Sequence, residues 1–268
     1  MKLGILGFGK MGEAIAQGLK LSQVSQGIEV LGATRSHHNA AEISRRLNIK
    51  CHTDNGKLIA ESDIVLLCVK PHQAEPLLRS VAQKFQKRHL LISICASITT
   101  DQLSKWSGNR ASIIRAMPNT PCLIGQGMTV FCPGPRAKEK DLSVAQEIFG
   151  TLGETAIVEE SLMDGVTGLS GCGPAYAYLI IEALSDAGVK MGLSRSAATL
   201  MAAQTLAGSA QMVLKRGVHP AALKDEVTTP AGCTIDGLMA LEEGKLRVTL
   251  IKAVVAAAKR SKNLRSPE

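Results

Sequence analysis

The chain has 268 residues, 45% of them hydrophobic, with four Phe, two Tyr and one Trp, and 31 Lys and Arg against 23 Asp and Glu give a net charge of +8. That length supports two modest domains, no run is long and apolar enough to span a bilayer, and the N-terminus lacks a signal-peptide pattern, so a cytoplasmic protein with no membrane partner is expected. The positive charge suits an anionic cofactor or plain solubility, whereas a nucleic-acid surface is disfavoured because no basic run lies among aromatics that could stack on bases.

Residues 2 to 6 (KLGIL) form a short apolar run and lead directly into Gly7-Phe8-Gly9-Lys10-Met11-Gly12 and a helical pattern, EAIAQGLKL. Strand, G-x-G-x-x-G and helix in that order predict a dinucleotide-binding turn. The first glycine allows the tight turn, the second lets the backbone approach a pyrophosphate, and the third lets helix and sheet pack closely. Further apolar runs follow at 28 to 33, 63 to 69, 89 to 95, 111 to 116 and 128 to 132, with polar-faced helical segments between most of them. This alternation predicts a parallel, doubly wound Rossmann-like sheet with its ligand at the carboxyl ends of the strands. Three of those ends carry unusual residues: Val69-Lys70-Pro71, Cys95-Ala96-Ser97 and Met117-Pro118-Asn119-Thr120-Pro121.

An acid about twenty residues past the glycines usually receives the ribose hydroxyls of NAD. Here the strand ends in Ala33-Thr34-Arg35-Ser36-His37-His38, with a guanidinium and hydroxyls in place of a carboxylate. Arginine pairs with phosphate through charge-assisted hydrogen bonds, so Thr34, Arg35 and Ser36 point to the 2′-phosphate of NADPH, with NADH as the alternative.

From about residue 160 strand patterns cease and Ala, Leu and Met recur at helical spacing, as in residues 194 to 217. We place the boundary between an N-terminal NADP-binding domain (1–159) and an all-α domain (160–268) there. Apolar residues on several faces of these helices predict burial within a bundle or against another subunit. Seven cysteines stand singly with no C-x-x-C pair, which fits reduced, mostly buried thiols and no metal site.

Two motifs interrupt the helices. The stretch TGLSGCGPAY (167–176) leads into a long helix; β-hydroxyacid dehydrogenases have similar glycines followed by a catalytic lysine, but here that position holds Ala177. Without the ammonium, alcohol-to-ketone chemistry loses its acid and base. The stretch DEVTTPAGCTIDGL (225–238) combines a helix stopper, small residues and three hydroxyls. Bare backbone N–H groups at a helix start form an anion site, although on composition alone a plain helix connection is the simpler reading.

The ordered set GILGFGKMGEA, VKP, MPNT, TGLSGCGPAYAY and KDEVTTPAGCTIDGLMALE resembles the pyrroline-5-carboxylate reductase family over residues 1 to about 260. The resemblance implies NAD(P)H-dependent reduction of the cyclic imine 1-pyrroline-5-carboxylate to L-proline, on a Rossmann-like domain followed by a helical dimerisation domain, in a homodimer or larger homo-oligomer. It implies a substrate site at Thr229, Gly232, Cys233 and Thr234, with the Thr234 hydroxyl near the ring nitrogen as the catalytic group, and with Glu160 close by. It also implies cofactor contacts from Gly7, Phe8, Gly9, Lys10, Met11, Gly12, Thr34, Arg35, Ser36, Asn55, Val69, Lys70, Pro71, Ala96, Asn119 and Glu226. Two departures stand out: Ala231 replaces a glycine of the family's loop, and Glu226 stands where relatives often carry an amide.

Overall fold

A computed structural model describes residues 1–21 and 27–264. The first part alternates β1 (Lys2–Leu6), α1 (Lys10–Leu21), β2 (Glu29–Ala33), α2 (His37–Leu47), β3 (Lys50–His52), α3 (Asn55–Glu61), β4 (Ile64–Leu67), α4 (Pro71–Val81), β5 (Leu90–Ser93), α5 (Thr100–Trp106), β6 (Ser112–Met117), β7 (Gly127–Pro133), α6 (Glu139–Gly150) and β8 (Gly153–Ile157). The eight strands form one sheet in the order β3-β2-β1-β4-β5-β6-β7-β8. From β1 the chain winds outward first to β2 and β3 and then, in the opposite sense, to β4 and beyond. The crevice at that reversal is where open α/β sheets bind ligands.

Burial follows the pleat. Ile64, Leu66, Leu90 and Ile92 pack on one face with Ile15, Leu19 and Ile148 from α1 and α6. Their neighbours Val65, Leu67 and Leu91 pack on the other with Leu58, Leu78 and Leu103 from α3, α4 and α5. Successive side chains point to opposite faces, so strands apolar at every position require helices on both sides, as observed.

The sheet departs from the all-parallel expectation at one place: β7 runs antiparallel to β6, while β8 returns parallel to β7. Only residues 118 to 126 separate β6 from β7, too few for the crossover that a parallel pair needs. Strands β3 and β8 have no counterpart among the apolar runs. The first has three residues, and the second, GETAI, is buried at none of its positions.

Beyond the sheet come a 3-10 turn (Glu160–Leu162), α7 (Met163–Val166), a π turn (Thr167–Gly171), α8 (Gly173–Lys190), α9 (Arg195–Arg216), α10 (Pro220–Glu226), α11 (Cys233–Glu243) and α12 (Leu246–Asn263). Contacts divide the chain into two compact units, one of Met1–Cys172 with the chain from Ala256 onward, the other Gly173–Val255. Strand patterns stop near residue 160, yet the first unit runs past that point because Met163, wholly buried, packs with Val130 and Cys132 of β7. In the second unit α9 starts at the cap Ser194, which accepts from the Ala197 N–H, and ends at Gly217 in the left-handed region. Within the second unit Tyr178, Leu179, Leu200 and Leu214 are each more than 60% exposed. No helix among the described residues is long and apolar enough to cross a membrane.

Candidate active site

The glycine turn lies between β1 and α1. Gly7 has φ +94, and a Cβ there would stand 2.8 Å from the Val69 side chain, so the chain needs glycine on both counts. A Cβ on Gly12 would lie 2.6 Å from the Gly7 carbonyl oxygen, which is how α1 can start so close to the strand. At Gly9 an added Cβ would meet nothing of the chain within 4 Å.

This turn opens into a groove of about 460 Å³ at the carboxyl ends of β1, β2 and β4. Of the residues expected there, Gly7, Phe8, Gly9, Thr34, Arg35, Asn55, Val69 and Lys70 line it. Lys10, Met11 and Gly12 continue into α1, Ser36 caps α2 by accepting from the Asn39 N–H, and Pro71 is the first residue of α4. Arg35 is exposed and pairs with no group among the described residues, which leaves its guanidinium available to a phosphate. The second arginine of the groove, Arg46, is held instead by Glu13 at 2.6 Å. Asn39, Gln73 and Glu42 also line the groove. Sequence reasoning missed them because helix-surface polar residues carry no motif of their own.

Ala96 and Asn119 sit on the turns after β5 and β6. The Cys95 thiol donates to the Val69 carbonyl at 3.2 Å, tying the first turn to a residue of the groove. Burial pushes the Cys95 thiol up to about 11, which keeps it protonated and a donor. The Asn119 side chain is occupied internally: its amide nitrogen donates to the Ser170 carbonyl at 3.3 Å, and its oxygen accepts from the Met128 N–H at 2.9 Å.

Glu160 is also occupied. One carboxylate oxygen accepts from the Thr100 N–H at 2.8 Å and the other from the Thr100 hydroxyl at 2.6 Å. Arg115, 1% exposed on β6, faces the first oxygen at 3.3 Å. Its charge thus stands against Thr100 and Arg115 within the first unit.

In the second unit, α10 ends at Glu226 with Val227 as its C-cap, and the chain turns before α11. The Gly232 N–H donates to the Thr229 carbonyl at 3.1 Å across Pro230 and Ala231, and Ala231 adopts φ +58. This is the position where the loop departs from the family's glycine, and the backbone keeps the left-handed conformation with alanine in it. A Cβ on Gly232 would stand 2.5 Å from the Thr229 hydroxyl and 3.1 Å from its carbonyl oxygen, so a larger residue there would displace the Thr229 side chain. Gly232 is the N-cap of α11 and no side chain caps that helix. The N–H groups of Cys233, Thr234 and Ile235 therefore have no intrahelical acceptor and sit at the positive end of the helix dipole. Thr234 is half-buried, and its hydroxyl bonds to nothing among the described residues. A capping role for Thr234 is excluded by this geometry. Glu226, the last residue of α10, is gripped by Arg216 of α9.

A doubly wound sheet with a glycine turn and, after β2, an arginine that pairs with no group among the described residues, joined to a helical unit with an uncapped helix start, is the architecture of a dinucleotide-dependent oxidoreductase. Residues 160–264 match the family model described as pyrroline-5-carboxylate reductase dimerisation, and residues 2–97 match that of NADP oxidoreductase, coenzyme F420-dependent. The chain is 41% identical to a pyrroline-5-carboxylate reductase of Arabidopsis thaliana over 98% of its own length and 95% of the relative's. Among solved structures it is similar to the pyrroline-5-carboxylate reductase of Coxiella burnetii, with a TM-score of 0.91, 31% identity and coverage of 99% and 98%. It is similar also to the Plasmodium falciparum pyrroline carboxylate reductase with NADP bound, with a TM-score of 0.86, 35% identity and coverage of 99% and 98%. The chain belongs to the pyrroline-5-carboxylate reductase family.

Proposed function

We propose that this protein reduces 1-pyrroline-5-carboxylate to L-proline with NADPH, the last step of proline biosynthesis, in the cytoplasm. The carrying observation is the uncapped start of α11, with three orphan N–H groups beside the unengaged Thr234 hydroxyl. A carboxylate is the natural partner of such N–H groups. The hydroxyl two residues past the cap is then the polar group left to orient an imine nitrogen.

The groove fits a phosphorylated dinucleotide. The open space at Gly9 lets backbone approach a pyrophosphate, Arg35 and Thr34 would receive the 2′-phosphate, and Asn55, Val69 and Lys70 would line the remaining wall. NADPH supplies the hydride when bound. The chain's own contribution is positioning: N–H groups of Cys233 and Thr234 hold the substrate carboxylate, Thr234 directs the ring nitrogen, and small residues at Ala231 and Gly232 leave room for a flat ring. A protonated cyclic imine is already a good hydride acceptor, so orientation accounts for much of the rate. Glu160 enters this reading as a residue beside the substrate, its carboxylate oriented by Thr100 and Arg115. The exposed apolar side chains of α8 and α9 support a homodimer built through the helical domain.

The test is a steady-state assay of the purified protein with 1-pyrroline-5-carboxylate, its six-membered homologue and an open-chain imine, each with NADPH and NADH. Turnover of the five-membered ring with NADPH as the preferred pair is expected. Cofactor binding without turnover on any imine would leave only a nucleotide-binding protein and overturn the reading.

A further inference from the structure

We propose that Ser261 and Asp164 are positioning residues for the cofactor groove, acting on the turn after β5 through Ser97; this rests on the reductase reading above. Ser97 has φ +62, a left-handed conformation that a residue with a Cβ adopts rarely, and it is buried. Such a conformation persists where the surroundings over-determine it, and it gathers at sites that need a fixed backbone.

What fixes Ser97 comes from far along the chain. Its hydroxyl donates to the Ser261 carbonyl at 3.2 Å. That carbonyl is among the last four of α12 and so has no donor inside the helix. The Ser261 hydroxyl in turn donates to Asp164 Oδ1 at 2.8 Å. Ser261 is 4% and Asp164 8% exposed, so the chain of hydrogen bonds is shielded from water. Three residues beyond Ser97, Thr100 is held by Glu160 through its N–H and its hydroxyl. The segment from β5 to α5 is thus tied twice to carboxylates four positions apart, directly by Glu160 and by Asp164 through a serine of the C-terminal helix.

The tied segment reaches the groove on its other side. Cys95 donates its thiol hydrogen to the Val69 carbonyl, and Val69 lines the groove. Between Cys95 and Ser97 stands Ala96, at the carboxyl end of β5, where the sheet presents its ligand-binding edge. A carboxylate withdrawn from water is costly unless it is paired or hydrogen-bonded, so Glu160 and Asp164 hold their partners firmly. Here their bonds lead to Ser97 and Thr100, just after Ala96, while the Cys95 thiol holds the residue before it.

The experiment compares Ser261→Ala, Ser261→Thr and Asp164→Asn with the unaltered full chain. NADPH binding is followed by fluorescence without substrate, kcat and both KM values by steady-state assay, amide hydrogen exchange over residues 94 to 99 by mass spectrometry, and Tm by calorimetry. Ser261→Ala keeps the main-chain carbonyl that Ser97 uses but frees it from its anchor on Asp164. It should therefore speed exchange in 94 to 99 and weaken NADPH roughly three- to tenfold, the effect of one lost hydrogen bond, with the KM for the imine little changed. Asp164→Asn should act in the same direction, and Ser261→Thr, which keeps the hydroxyl, should restore both exchange and binding. A Ser261→Ala protein with lowered Tm but unaltered NADPH binding and unaltered exchange over 94 to 99 would overturn the proposal, as would faster exchange without any loss of NADPH. A wild-type protein that binds NADPH but reduces no imine would remove the reductase reading instead, while exchange and NADPH binding would still decide the role of Ser261.

Discussion

Arg216 of α9 holds Glu226 of α10 through two parallel hydrogen bonds, Nη1 to Oε2 at 2.6 Å and Nη2 to Oε1 at 2.9 Å. The bond to Arg216 lowers the pKa of Glu226, so the carboxylate stays ionised and paired at neutral pH. The family resemblance implies a cofactor contact at Glu226, and the pairing with Arg216 offsets the charge that this carboxylate would otherwise present. Arg216→Ala should therefore leave an uncompensated negative charge and raise the KM for NADPH by about three- to tenfold at low ionic strength, and salt should reduce the effect. Adding Glu226→Gln should recover most of the loss. No change in the single variant would separate Glu226 from the cofactor.

Arg35 lines the groove and pairs with no group among the described residues. Its loss should cost NADPH about 1.5–3 kcal/mol, the range for a hydrogen bond to a charged group, and NADH little. Dissociation constants of Arg35→Ala for the two cofactors check this. Equal losses for both would take Arg35 away from the 2′-phosphate.

Thr234 follows the N-cap by two residues and its hydroxyl caps no helix among the described residues, which separates its chemistry from its stability. Thr234→Ala should lower kcat/KM for the imine by roughly ten- to a thousandfold, according to how strongly the hydroxyl acts in the transition state. Tm and NADPH affinity should stay near wild type, and Thr234→Ser should regain much of the activity. An unchanged specificity constant in the alanine variant would mean that the hydroxyl takes no part.

His89, just before β5, is 1% exposed, its ring set edge-on to Phe85 with centroids 5.9 Å apart. Its Nδ1 accepts from the Gln86 N–H at 2.9 Å, which requires an unprotonated nitrogen. Burial first, and then the neighbouring Arg88 cation, lower its pKa to about 4. The unfolded chain binds this proton at an ordinary histidine value of about 6.5, so the unfolded state holds more protons between the two values. The stabilisation is complete above about pH 6.5 and declines as pH falls towards 4, by an amount on the order of 2–3 kcal/mol. Urea midpoints at about pH 7.5 and about pH 4.5 should differ markedly in the wild type and much less in His89→Asn, which keeps an acceptor for Gln86. Parallel pH slopes in the two proteins would exclude His89 as the source.

The local features of this protein were legible in its sequence. The glycine turn, the six apolar strands, the missing acid after β2, helix α9 with Ser194 before it and Gly217 after it, and the loop before α11 are all written within a few residues of one another. Each follows from φ preferences, side-chain periodicity or capping, which act at short range. Tertiary structure decided the rest. The strands β3 and β8 exist because neighbouring strands offer free edges, and β7 reverses because its connection is too short for a crossover. Glu160 meets Thr100 and Arg115, residues 60 and 45 positions away, and Ser97 meets Ser261 across 164 positions. A sequence pattern encodes which face a residue turns toward the core but not which distant residue shares that space, because the partner of a buried polar group is chosen by the packing of the whole unit.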